Sequence, residues 1–142
     1  MNSDFLDKIN EALSLKNVKY YYHVTNQDPE LIINEGLFMV GSKIEETAIE
    51  IPKEFKENPI DYCEGEKGLE YRKNPSIIII AVDKDDIEYL IKPIDYYPSN
   101  WNHDVAPNYY IDSKFILGYI NTDDYDLMLN DNFDFTNELY LR

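Results

Sequence analysis

Apolar residues at Phe5, Ile9 and Leu13, flanked by Leu6 and Ala12, recur at helical spacing and predict a short amphipathic helix over residues 2–14. The period then changes. Lys19 to Thr25 reads as a first strand, "KYYYHVT", along which Tyr20 and Tyr22 share one face and Tyr21 and His23 the other. Asp28 can cap the free amides of a following helix, Pro29 suits its first turn, and Gly36 suits the left-handed position just past its end. "SIIIIAV", from Ser76 to Val82, is β-branched and apolar at every position after the serine, so it predicts a strand buried on both faces. Asp83 caps a predicted short helix running to Ile91, and "NYYIDSKFILGYIN" reads as two short strands around a turn at Asp112-Ser113-Lys114. The C-terminal stretch alternates loosely and predicts a final strand or hairpin. Within residues 38–75, "AIEIPKEF" is either a strand ending at Pro52 or a loop lying over the body of the fold, and "KENPIDYCEGEKGLEYRKNP", residues 56–75, carries two prolines, two glycines and mixed charge and reads mostly as loop.

These elements fit a single α+β domain spanning residues 1–142. Hydrophobic residues at 44% and aromatics at 14% argue against disorder, so the net charge of −15 belongs to the surface of a folded body. The 28 acids are spread along the chain, and nothing resembles the clustered Lys and Arg that hold a phosphate backbone. Direct nucleic-acid binding is therefore disfavoured. The charge has two remaining readings: solubility, or a decoy that presents carboxylates where a nucleic-acid-binding protein expects phosphates. Cys63 is the single cysteine, which excludes an intrachain disulfide and makes a reducing cytoplasm the expected location. The longest apolar run, Ile77 to Val82, is too short to cross a bilayer, and the acidic N-terminal residues do not resemble a signal peptide.

Candidate chemistry narrows quickly. Five scattered glycines form no phosphate-binding loop, and two histidines with one cysteine do not compose a metal site. The acids around Cys63 disfavour its thiolate. What remains are the histidines and the tyrosines, with His23 at the end of the first strand as the main candidate. On its own, His23 reads as a strand-end histidine bonded to a carbonyl.

With the segment that follows it, "YYHVTNQDPELIINEGL" resembles the opening of ADP-ribosyltransferase-like domains, including phage and bacterial members. In these a first strand carries Tyr-His-x-Thr and is followed by a short helix and "xxGL". The later "NYYIDSKFILGYI" is similar to the family's closing strand, turn and strand. The resemblance implies two small antiparallel sheets and short helices around a cleft that holds NAD. It implies that His23 bonds a ribose hydroxyl, that the backbone of Val24 meets the nicotinamide amide, and that Thr25 braces the histidine or the backbone. A tyrosine stacking on the nicotinamide ring is also expected, with Tyr71 the first candidate and Tyr62 the second. In active members a glutamate at the start of the late strand stabilises the oxocarbenium-like transition state; Tyr109 falls at that position here. Glu70 and Asp104 are the carboxylates considered as substitutes.

The expectation is thus a domain that binds NAD or a related nucleotide and transfers ADP-ribose to a protein or nucleic-acid target, with His23 and Tyr109 at the catalytic positions. Alternatives are an acidic interaction or decoy protein that blocks a nucleic-acid-binding host protein, and an inactive transferase-like domain that only binds a partner.

Overall fold

A computed structural model describes residues 3–67, 75–83, 90–98, 101, 105–123 and 125–133. Over these the chain forms an α+β fold of two small antiparallel sheets with short helices. Helix α1 (Ser3–Ala12) leads into β1 (Val18–Thr25), α2 (Pro29–Glu35) and β2 (Leu37–Met39); β3 (Ile49–Glu50) and α3 (Pro59–Lys67) follow. The second half contributes β4 (Ser76–Asp83), β5 (Ile91–Pro93), β6 (Tyr109–Ile111), β7 (Ile116–Asn121) and β8 (Asp126–Leu129). One sheet has the order β3-β1-β4-β7-β8 and the other β2-β6-β5.

The larger sheet is built around β4, whose eight residues are all buried. It pairs with β1 over eight consecutive positions, from Val18 opposite Asp83 to Thr25 opposite Ser76. The predicted alternation then sorts the tyrosines. Tyr22 and Val24 enter one core with Ile77, Ile79, Phe5 and Ile9. Tyr21 enters a second core with Ile78, Ile80, Ile33 and Ile111, on the side of α2 and the smaller sheet. The sheet is therefore covered on both faces, which is why β4 is apolar from Ile77 to Val82.

Helix α2 follows its sequence signals. Asp28 Oδ1 accepts from Glu30 N at 3.0 Å, and Gly36 N closes the helix on Ile32 O at 2.8 Å. Gly36 has φ +102° but ψ 175°, so it is an extended residue with positive φ and not the left-handed cap that was expected. A Cβ there would also stand 2.6 Å from the Ile111 carbonyl oxygen.

The loop expected over residues 56–75 is corrected at its start, where α3 occupies Pro59–Lys67, while β3 at Ile49–Glu50 follows the strand alternative for "AIEIPKEF". The Asn58-Pro59 pair starts that helix. Asn58 Oδ1 accepts from Asp61 N, Tyr62 N donates to Asn58 O, and Pro59 occupies the first turn where its missing N–H costs nothing. The two strands expected around the turn at Asp112-Ser113-Lys114 are present, and they belong to different sheets: β6 lies in the small sheet and β7 in the large one. Asp112 Oδ1 accepts from Lys114 N and opens the 3-10 turn that carries the chain between them. Ile91, the expected end of a helix, begins β5; residues 84–89 of that helix lie outside the described residues, as does the C-terminal stretch from 134.

Helix α2 is tied to the large sheet by Tyr119 of β7, whose hydroxyl donates to Glu30 Oε1 at 2.7 Å. Burial, then this hydrogen bond, then the negative charges of Glu30, Asp28 and Asp126 push the Tyr119 hydroxyl up from 10.0 to about 12. Because the folded value is the higher one, this contribution to stability is complete below the unfolded value and is lost as pH rises towards the folded one. Tyr21 is also raised, by burial and then by Glu50 and Glu45, so among the described residues the alkaline fall in stability has a second source. In Tyr119→Phe the fall in unfolding free energy between pH 10.0 and about 12 should become shallower without vanishing, as read by urea titration at successive pH values.

Gly118 of β7 faces Leu129 of β8, and a Cβ there would collide with the Met128 carbonyl oxygen. Gly118→Ala should cost roughly 1–3 kcal/mol, seen as a lower urea midpoint at unchanged slope. Wild-type stability in that variant would contradict this close approach.

Candidate functional site

A cleft of about 320 Å³ opens at the end of β1 and gathers His23, Val24, Thr25, Met39, Thr47 and Trp101 along its walls. The volume is at the low end of the range for small-ligand sites, roughly 300–1,000 Å³. The three consecutive residues singled out from "HVT" therefore reach one concave surface, and each does so differently.

His23 sits opposite Ile78 in the sheet, on the face of the second core. Its Nδ1 lies 2.6 Å from the Thr47 carbonyl oxygen. A carbonyl can only accept, so Nδ1 carries the proton and Nε2 is the acceptor of the neutral ring. Thr47 reaches this position because the 3-10 turn at Ile44–Glu46 folds the chain back, with Thr47 N and Ala48 N both donating to Ile44 O. The pairing of Ile49 with Tyr22 then fixes the segment beside β1. Thr47 Oγ1 donates to Met39 Sδ at 3.1 Å, which links the cleft wall to the smaller sheet. The ordinary reading of His23, a strand-end ring bonded to a carbonyl, is thus true of one nitrogen while the residue still lines the cleft.

Val24 meets the cleft along its main chain. Ile51 N donates to Tyr20 O at 2.8 Å, so the main-chain groups of Tyr20, Tyr22 and Val24 face the β3 edge. The β3 pairing stops at Ile49, opposite Tyr22. Beyond that point Val24 turns its N–H and C=O towards an edge that β3 does not cover, while its side chain is sealed in the first core. Thr25 braces the backbone: its hydroxyl accepts from Gln27 N at 3.0 Å and shapes the turn into α2.

The other expected residues are placed elsewhere. Tyr109 is half-buried in β6 and packs against the second core; its cross-strand partner Met39 lines the cleft, but Tyr109 does not. Tyr62 belongs to the opposite face of the large sheet, edge-on to Tyr22 at 5.9 Å, which removes it as a stacking residue for this cleft. Tyr71, Glu70, His103 and Asp104 lie outside the described residues. The aromatic side chains that do line the cleft are Trp101 and Phe38. Trp101 is held by Nε1 donating to Val105 O at 2.9 Å, and Phe38 is braced by Tyr96 and Tyr110 at ring distances of 6.0 and 6.1 Å. Trp101 carried a weak signal in the sequence as the single tryptophan in an irregular stretch; Phe38 and Thr47 carried none.

Among the described residues lining the cleft, none is a carboxylate. Groups of histidine, cysteine and acids able to hold a metal ion are absent among the described residues, as are helices long and apolar enough to cross a membrane. No protein-family model matches the chain, and neither a curated protein nor a solved structure does.

The His23–Thr47 geometry makes a direct prediction. Long-range ¹H–¹⁵N correlation spectra at a pH where the ring is neutral should show His23 as the Nδ1–H tautomer. The more common Nε2–H pattern would contradict the hydrogen bond.

Proposed function

We propose that the cleft binds NAD or a related nucleotide in the manner of ADP-ribosyltransferase-like domains, and presents it to a macromolecular target. The observation that carries this reading is the convergence of His23, the main-chain edge of Val24 and the Trp101 ring on one concave surface. A strand edge offering N–H and C=O side by side matches a primary carboxamide, which needs one acceptor and one donor. An oriented imidazole suits a ribose hydroxyl. Trp101 takes the stacking role first assigned to Tyr71, since a flat heteroaromatic ring gains most from a large aromatic face.

When bound, NAD supplies an activated ADP-ribosyl group whose nicotinamide can depart. The described lining binds and orients, and it contributes no carboxylate to the developing positive charge. Transfer in this reading draws its acid from the target. Tyr109, one strand away across Met39, supports the cleft wall.

Calorimetry with NAD, paired with the fluorescence of Trp101 as the single tryptophan, tests this. Wild-type protein should give heat and a fluorescence change with a common midpoint. His23→Ala should weaken binding about tenfold, about 1.4 kcal/mol and the net size of one good hydrogen bond. No heat from the wild type at millimolar NAD would end the nucleotide reading.

A further inference from the structure

Helix α2 stands between two cavities. Asp28, Leu31 and Glu35 face a narrow pocket that adjoins the cleft through Phe38 and Trp101. Glu30, Ile33 and Asn34, around the helix, face a second cavity of about 400 Å³, completed by Tyr119 and the chain from Met128 to Asn132. We propose that this second cavity is a binding site for an alkyl cation, a guanidinium or ammonium group on a short aliphatic stem. It shares no residue with the nucleotide cleft and stands whether or not that cleft binds NAD.

Its polar groups are arranged from two directions. Glu30 comes from α2, and its carboxylate is oriented by the Tyr119 hydroxyl, which donates to Oε1 at 2.7 Å. One bond leaves most of a carboxylate's accepting capacity, including Oε2, for a ligand. Asp131 brings a second carboxylate from the segment after β8. That segment is held rigidly by Asn130, which is fully buried: Nδ2 donates to Ser113 O and Ile116 O, and Oδ1 accepts from Asn132 N. Asn130 is framework; the carboxamides of Asn34 and Asn132 are the neutral polar groups presented at the rim.

Charge and shape select the ligand class. Among the described residues, no lysine or arginine lines this cavity. The nearby Lys8 reaches across to Asp126 at 3.3 Å. Burial, the hydrogen bond to Glu30 and then the negative charges of Glu30, Asp28 and Asp126 raise the Tyr119 hydroxyl, in keeping with the carboxylates on this side of α2. An anion is therefore disfavoured, and two carboxylates suit a guanidinium or ammonium donor. Met128 and Leu129 are 41% and 42% exposed and also line the cavity. Apolar surface beside a carboxylate suits an aliphatic stem carrying a charged head.

Three probes test the proposal by ¹⁵N–¹H spectra of the full chain: agmatine, a blocked Gly-Arg-Gly peptide, and N-butylurea as the neutral analogue. At about 10 mM probe and roughly 150 mM salt, the two cations should shift Asn34, Asp131 and Asn132, and butylurea should not. The tighter of the two cations tells whether the source is a free amine or a protein side chain. Glu30→Gln with Asp131→Asn should weaken cation binding at least about tenfold. Both positions are exposed, and glutamine still accepts from Tyr119, so an unchanged melting temperature is expected. Equal shifts from butylurea, shifts spread over the whole acidic surface, no shifts at all, or undiminished binding in the double variant would each overturn the proposal.

Discussion

The eight-residue pairing of β1 with β4 is the constraint on which the rest depends. Because β4 is buried along its whole length, it serves both cores at once, with odd and even residues feeding opposite faces. Side chains in a strand alternate, so a slip of one residue would exchange every partner and send Tyr22 and Val24 to the wrong core. The unlike faces of β1 oppose that slip, because it would carry the polar His23 ring into the first core. His23 is consequently on the face of the second core, and its position at the cleft follows from packing decided several residues away.

The cleft is then completed by segments that have no local reason to be there. Thr47 meets His23 only because β3 pairs with Tyr21 and Tyr22 and a 3-10 turn folds the chain back before it. The shortness of β3 has a second effect: a longer strand would have covered the main chain of Val24. Two residues of pairing are enough to anchor Thr47 and few enough to leave the edge open.

Helix α2 joins the two halves of the functional picture. Its cap at Asp28 follows directly from the turn that Thr25 shapes, so its start is tied to the end of β1. Its side is tied to β7 through Glu30 and Tyr119, residues 89 positions apart in the chain. A seven-residue helix has little stability of its own. These ties, with Ile32 and Ile33 in the second core, make it a fixed partition between the two cavities.

The strands β1 and β4 and the helices α1 and α2 were legible in the sequence because their signals are local. Periodicity, a capping aspartate, a proline in the first turn and an unbroken β-branched run each act within a few residues. His23, Val24 and Thr25 were legible as a group for the same reason. Helix α3 was not, since "NP" and a glycine look like a turn until Phe55, Ile60 and Cys63 are given a core to enter. Tyr62 and Tyr109 were misjudged as cleft residues because the face and the sheet to which a tyrosine belongs are set by partners distant in sequence. By itself the sequence determined that β1 and β4 extend and where α1 and α2 begin. Only the tertiary structure decided that Thr47 orients His23, that Trp101 and Phe38 line the cleft, and that Glu30 and Asp131 share a cavity. Those contacts depend on non-local strand pairing, and no short stretch of chain encodes its partner across the sheet.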